Sequence, residues 1–486
     1  MPRLSPVDQA FFLLETHDRP MSIGLLVVLV PPPGTRGSFA DRLVRTMLKC
    51  PPGPPFSYRV HPGPVPGLLS LVEDERMDPA QQVFRHKLRR GADLQSLFAS
   101  ICRIHPKRLR RDAPLWEAHV FTGMPAGRVA LYFKTHHGLI DGIGFINALN
   151  TMVFESPRNN PPRAMWEGLR HYAPPAGAAR MQHESSLLQA ANDARRTAND
   201  VLRLLWHQGL RDLGLGRGLA APFVSTPDVL KAAPSPHRVL AHCKLPLATV
   251  RGLARRGGAK VNDVMLTLID MAMHRYLGGR GITLDRPLVT DMPVALADHG
   301  GHGNRITILQ VPMGRPGVPP AQRLADIVQE TGQVKKEMRE LDGSALTLYS
   351  IVQHSIASTI ESLGLSGLPM LANSVVSNPA GFEKRLYFNG AEVELALPIS
   401  VVAHHQVLNI TVTTYVDELH VTFIALEEAI PDLQRLADYT AAAAAELDAD
   451  LARIERRVAR TRARQAPARR TPAKAPTRPA SRTAVR

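Results

Sequence analysis

The segment Lys134-Thr135-His136-His137-Gly138-Leu139-Ile140-Asp141-Gly142 constrains this chain more than any other. It closes a run in which Val129, Leu131 and Phe133 alternate with Ala130, Tyr132 and Lys134, the period-two pattern of a strand over 127–137. A helical pattern follows from about Asp141 to Phe154, so the two histidines sit where a strand passes directly into a helix. Neighbouring strand residues point to opposite faces. His136 and His137 therefore divide their work: one meets a pocket, and the other packs or hydrogen-bonds inside the fold.

The chemistry of the segment follows from its residue types. A histidine near its ordinary pKa of about 6.5 takes a proton from an alcohol at neutral pH. No serine or cysteine nucleophile is needed if the substrate's own hydroxyl attacks. Asp141 is spaced to cap the following helix or fold back under the loop, and Gly142 to permit a close backbone approach. Adjacent histidines on opposite faces are awkward metal ligands and differ from the i, i+4 pair of zinc proteases. At least two further ligands would be needed, and none is assigned. A purely structural histidine pair is the plainer alternative.

Elsewhere the periodicity predicts a strand at 22–30 and helices around 8–15 and 39–49, with 51–67 as a Pro/Gly-rich loop. The longest helical pattern, 184–213, bridges the two halves. In the second half, strands are expected at 238–245, 287–294 and 305–311. Helices are expected at 262–277, 320–340, 345–362 and 431–457. Strands 407–416 and 418–425 read as a tight hairpin about Asp417, without the usual glycine. At 486 residues, two domains are the first expectation. The formal charge of +16 is concentrated at the C-terminus: residues 453–486 carry twelve Lys/Arg and one Glu, a net +11, leaving +5 for the rest. Residues 458–486, rich in Arg, Ala, Pro and Thr without apolar periodicity, read as a disordered tail. The longest apolar run, Met21–Val30, is half the length needed to span a bilayer, about 20 residues. Cys50, Cys102 and Cys243 lie far apart without metal-ligand spacing and read as reduced thiols.

The His-His-x-x-x-Asp-Gly pattern resembles that of coenzyme A-dependent acyltransferases and peptide-synthetase condensation domains. More closely, the chain resembles the bacterial wax ester synthase/diacylglycerol acyltransferase family. The match rests on Leu4-Ser5-Pro6-Val7-Asp8 with Phe12 and Glu15, on Pro114-Leu115-Trp116-Glu117, and on Asn262-Asp263-Val264. It continues through Asn304-Arg305 with Val311-Pro312, Ser377-Asn378-Pro379, and Leu408-Asn409-Ile410-Thr411. The late block departs from the usual Ser-Asn-Val-Pro-Gly-Pro, reading Ser-Asn-Pro-Ala-Gly-Phe, and Leu397-Pro398-Ile399-Ser400 lacks the usual proline arrangement. These departures bear on substrate choice more than on reaction type.

The resemblance implies an α/β fold of two chloramphenicol acetyltransferase-like domains, each a mixed sheet flanked by helices, with an active-site tunnel between them. Their expected limits are 1–182 and 237–457, with a helical linker at 183–236 and a basic tail at 458–486. His137 is expected as general base, with His136, Asp141 and Gly142 around it. Pro114, Leu115, Trp116, Asn262 and Asp263 are expected near the active centre. On local grounds Trp116 reads as a core anchor, Asn262 as an N-cap and Asp263 as a first-turn carboxylate. The implied reaction moves a long acyl group from acyl-CoA, a substrate rather than a cofactor, to diacylglycerol or a long-chain alcohol. Two alternatives stay open: acylation of another hydroxylated lipid or polyketide on the same scaffold, and a non-catalytic lipid-binding homologue. The expected setting is cytoplasmic, peripheral to the inner face of a membrane or to lipid inclusions, with nucleic acid an unfavoured partner for the tail.

Overall fold

The computed structural model describes residues 4–465 except 36, 64–67, 141, 159, 173–186, 213–229, 296–305, 342, 366–367, 369–370 and 380. The first half contains α1 (Pro6–Leu13), β1 (Ser22–Val30), α2 (Phe39–Met47), a hairpin of β2 (Tyr58–Pro62) and β3 (Leu69–Glu73), and β4 (Val83–Lys87). It continues with α3 (Leu94–Cys102), β5 (Trp116–Thr122), β6 (Val129–His136), α4 (Gly142–Asn150) and α5 (Leu187–Asp212). The second half runs through β7 (Arg238–Pro246), α6 (Leu247–Arg256), α7 (Val261–Gly278), β8 (Val289–Ala295), β9 (Ile306–Pro312), α8 (Pro320–Glu340) and α9 (Gly343–Ser362). It closes with β10 (Ser374–Ser377), β11 (Tyr387–Phe388), β12 (Ala391–Ile399), β13 (Leu408–Tyr415), β14 (Glu418–Leu426) and α10 (Leu433–Gln465).

Two six-stranded mixed sheets organise these elements. The first has the order β11-β12-β1-β6-β5-β4 and the second β7-β14-β13-β10-β8-β9. In the first, only β4 and β5 run parallel; in the second, β10 runs parallel to both β8 and β13. The expected pair of mixed sheets is therefore present. The first sheet is not drawn from the first half alone, because β12 pairs antiparallel with β1 from Gly24↔Ile399 to Val30↔Glu392.

That pairing explains the unbroken apolar sequence of β1. Ile23, Leu25, Val27 and Leu29 pack into one core with α2, Trp116 and Trp166. Leu26 and Val28 join a second core built largely from α7, β14 and α10. A strand buried on both faces reads as a continuous hydrophobic run rather than an alternating one.

Three local expectations need correction. The loop expected at 51–67 contains β2, whose partner β3 lies just beyond it. The β13–β14 hairpin turns through two residues, Val416 and Asp417, with Val416 at φ 54° taking the glycine's place. The last helix continues to Gln465, past the expected start of the tail at 458. Ala, Arg and Gln are good helix formers, so a helix already nucleated upstream propagates through them. Among the described residues no helix is long and apolar enough to cross a membrane.

Candidate active site

Helix α1 sets the site's geometry. Ser5 and Asp8 form a reciprocal capping box: the Asp8 amide donates to Ser5 Oγ (3.1 Å) and the Ser5 amide to Asp8 Oδ2 (2.9 Å). The helix then presents two consecutive phenylalanines to the two histidines. Phe12 stacks on His136 at 4.2 Å between ring centroids, and Phe11 on His137 at 4.1 Å.

The two histidines lead different lives. His136 is buried, and its Nδ1 accepts from the Gly138 amide (3.1 Å), which leaves Nε2 to face Glu15 Oε1 at 3.5 Å. Glu15 also accepts from the Met21 amide (3.2 Å), Arg108 (3.2 Å) and Arg111 (2.5 Å). Burial would raise the Glu15 carboxyl, but the adjoining His136 and Arg111 hold it down at about 2. Burial lowers His136 despite that carboxylate. At neutral pH the arginines therefore supply the positive charge beside Glu15.

His137 lies one residue past β6, fixed by its amide donating to Met21 O (2.8 Å). Its ring forms part of the wall of an open, largely apolar cavity at the seam between the halves. The same wall includes Phe11, Ser350, His354, Ser377, Gln406 and Asn409. Burial pushes His137 down to about 4 rather than leaving it at the ordinary value expected from sequence. The imidazole is therefore neutral at pH 7.

The other expected residues divide into those at the site and those beneath it. Pro114, Leu115 and Trp116 are buried away from the cavity. Leu115 O accepts from both the His136 amide and Thr135 Oγ1, each at 3.0 Å. Trp116 Nε1 donates to Phe56 O (2.9 Å), and the ring stacks on Trp166. The motif thus supports the strand that carries the histidines. Asn262 is not the N-cap of α7; Lys260 is. Asp263 closes that turn by accepting from the Lys260 amide (2.9 Å), and also accepts from Thr331 Oγ1 (2.9 Å). Asn262 instead accepts from Asn378 Nδ2 (3.4 Å), while Ser377 Oγ donates to Thr411 Oγ1 (3.1 Å). Three separated sequence blocks therefore meet beside the cavity.

Gly142 permits no close approach: a Cβ built there meets nothing within 4 Å among the described residues, because it opens α4 on an exposed surface. The tight glycine is Gly138, where a Cβ would lie 2.7 Å from the Phe12 ring and 3.0 Å from Asp8 O. Asp141 and Asn304-Arg305 lie outside the described residues.

Sequence reasoning missed the polar side of the cavity. His354 Nδ1 donates to Ser350 O (2.8 Å), and its Nε2 lies 4.0 Å from Asp291 Oδ2. Asp291 is fully buried, accepts from Gln310 (2.7 Å) and Gln406, and is raised by burial. No local pattern marks these residues, which come from β8, β9, α9 and the 400–407 loop. Among the described residues no cluster of three His, Cys, Asp or Glu side chains could hold a metal ion.

A histidine at the seam of two mixed sheets, opening on a largely apolar cavity, defines a two-lobed α/β acyltransferase. The chain belongs to the wax ester synthase/diacylglycerol acyltransferase family: the family's catalytic domain matches residues 4–265 and its C-terminal domain residues 302–448. Tgs4 of Mycobacterium tuberculosis, a probable diacylglycerol O-acyltransferase, is 28% identical over 482 residues, covering 93% of this chain and 97% of that protein. The fold is shared with the wax ester synthase/diacylglycerol acyltransferase from Marinobacter aquaeolei VT8, with TM-score 0.70 and 23% identity over 93% of this chain and all of that one. It is shared more distantly with the first condensation domain of the calcium-dependent antibiotic synthetase, with TM-score 0.54 and 17% identity over 91% and 96% of the two chains.

Proposed function

We propose that this protein transfers a long acyl chain from acyl-CoA to the hydroxyl of diacylglycerol or of a long-chain alcohol, with His137 as general base. The observation that carries the proposal is a neutral imidazole in the wall of a mainly apolar cavity at the seam of an acyltransferase fold. The Tgs4 name points to the diacylglycerol acceptor, and that of the Marinobacter enzyme to both.

In this reading the acceptor hydroxyl lies against the imidazole of His137. As its oxygen attacks the thioester carbonyl, the proton passes to the imidazole. The tetrahedral intermediate then collapses, breaking the C–S bond, and the imidazolium returns the proton to the departing thiolate. The ester and coenzyme A as free thiol are the products. Phe11 fixes the ring plane of His137. The Phe12–His136–Glu15 assembly positions the turn on which it sits. Asp141 is assigned a positioning role rather than proton transfer. Residues 1–182 and 237–457 serve as the two lobes, with β12 of the second completing the sheet of the first.

Both lipids are insoluble in water, so the enzyme works at a lipid surface, on a membrane or an inclusion, in contact with cytoplasmic acyl-CoA. The test is purified protein with radiolabelled palmitoyl-CoA, offered diacylglycerol or hexadecanol separately, with products resolved by thin-layer chromatography. Radiolabelled triacylglycerol or wax ester is expected. Transfer only from palmitoyl-carrier protein, or no turnover of either donor, overturns the reading.

A further inference from the structure

Helix α9 carries one charged side chain, Glu361, and that one is buried against Arg19 at 2.7 Å. Its other face is open: Leu348, Val352 and Ile356, spaced by four, are each 44–47% exposed, and the stripe continues in Leu363, Leu365 and Leu368. The inward face of the same helix contributes Ser350 and His354 to the cavity. Helix α5 packs on α9 through Leu204, which meets Leu346 and Tyr349 in one cluster, and through Gln208, bonded to the Tyr349 hydroxyl. It exposes Leu202, Leu205 and Trp206, the last at 67%, together with Arg195 and Arg196. Helix α1 exposes Leu13 at 62% while lining the cavity with Val7, Ala10 and Phe11. Away from these helices and the stretch after α9, the described surface exposes only Leu68, Phe84, Ile454 and Val458 as large hydrophobics.

We propose that the α1–α5–α9 face docks on an anionic lipid surface, with Trp206 as its anchor, so that the cavity receives the lipid alcohol directly from the surface. The inference rests on the acyl-transfer reading. Scattered apolar side chains are normal on a protein, but a cluster on two helices that wall one cavity and on a third packed against α9 marks an interaction site. The occupant follows from chemistry. A helix with apolar residues outward and no exposed charge lies in an acyl boundary. Arginines on the adjacent helix meet lipid phosphates, and tryptophan favours the polar–apolar interface between them.

The tryptophans make the proposal directly readable. Trp116 and Trp166 are fully buried, so a change in emission on adding vesicles reports Trp206. Vesicles of phosphatidylcholine with about 30% phosphatidylglycerol are expected to blue-shift the full-length protein's emission, and brominated lipid to quench it. W206Q, and separately V352Q/I356Q, should weaken vesicle flotation about tenfold. Transfer to a detergent-dispersed alcohol should be unchanged. Vesicle binding without acyl transfer would remove the functional reading and leave this surface standing. The proposal is overturned if both variants float like the unchanged protein, or if only removal of residues 466–486 abolishes flotation. It also fails if the substitutions instead dissolve a dimer seen by sedimentation while vesicles leave the emission unmoved.

Discussion

Gly138 and His137 are adjacent in sequence, yet they are sensitive to different things. His137→Ala removes the proposed base, and transfer should fall by about 10²–10⁴-fold. Its circular dichroism should be unchanged, and folded protein with near-normal turnover would eliminate the mechanism. Asp141→Asn should keep more activity than His137→Ala while melting at a lower temperature, in keeping with a positioning role. Gly138→Ala acts through packing. Its Cβ would press on the Phe12 ring and the Asp8 carbonyl, displacing α1 at a cost of about 1–3 kcal/mol and tilting Phe11 from His137. Lower stability and lower kcat are expected together. Gly142→Ala has open space and should shift stability by less than about 0.5 kcal/mol. Thermal melts and steady-state rates of the two glycine variants, run side by side, check the contrast.

At the scale of elements, β12 sets the dependence of one half on the other. It pairs with β1 from Gly24 to Val30, and Tyr132 and Ser400 are further joined through the buried ring of His105. Residues 1–236 expressed alone should therefore aggregate, because β1 would be left as a long apolar edge. Co-expression with 237–486 should restore soluble, co-purifying halves; a soluble, monomeric 1–236 fragment would contradict this. Elements whose own residues carry the pattern were legible in the sequence: β1, β6, α5, α7, α8, α9 and the β13–β14 hairpin all fall where periodicity places them. Strand β12 was not legible, since its partner lies hundreds of residues away and Pro398 breaks its local strand character. The site divides in the same way. The histidine pair and the surrounding blocks could be read directly, whereas the His354–Asp291 contact needs two distant elements to meet, and Gly138 owes its importance to a helix arriving from residue 8.

At the scale of the whole molecule, buried imidazoles govern the response to acid. Burial lowers His105 and His242 to about 3, and His137, His274 and His404 to about 4, from an ordinary 6.5. Between pH 6.5 and 4 the unfolded chain binds protons at these positions that the folded chain does not. Stability is therefore full above about pH 6.5 and is lost as the pH falls through that window. The melting temperature at pH 5 should lie clearly below that at pH 7.5, and equal values would show that these rings stay accessible to protons in the fold.

The reach of β12 also has a consequence in time. The last residue of β1 is Val30, but the strand that covers it ends at Ile399, and Val401, Gln406 and Asn409 of the cavity wall come later still. Translation at about 5–20 residues per second separates these events by roughly 20–75 s. Throughout that interval the nascent chain must hold an uncovered hydrophobic strand beside the one that leads into the histidine pair. The proposed active site is thus among the last parts of the protein to come into being on the ribosome, and the yield of active enzyme in a cell depends on what shields β1 until then.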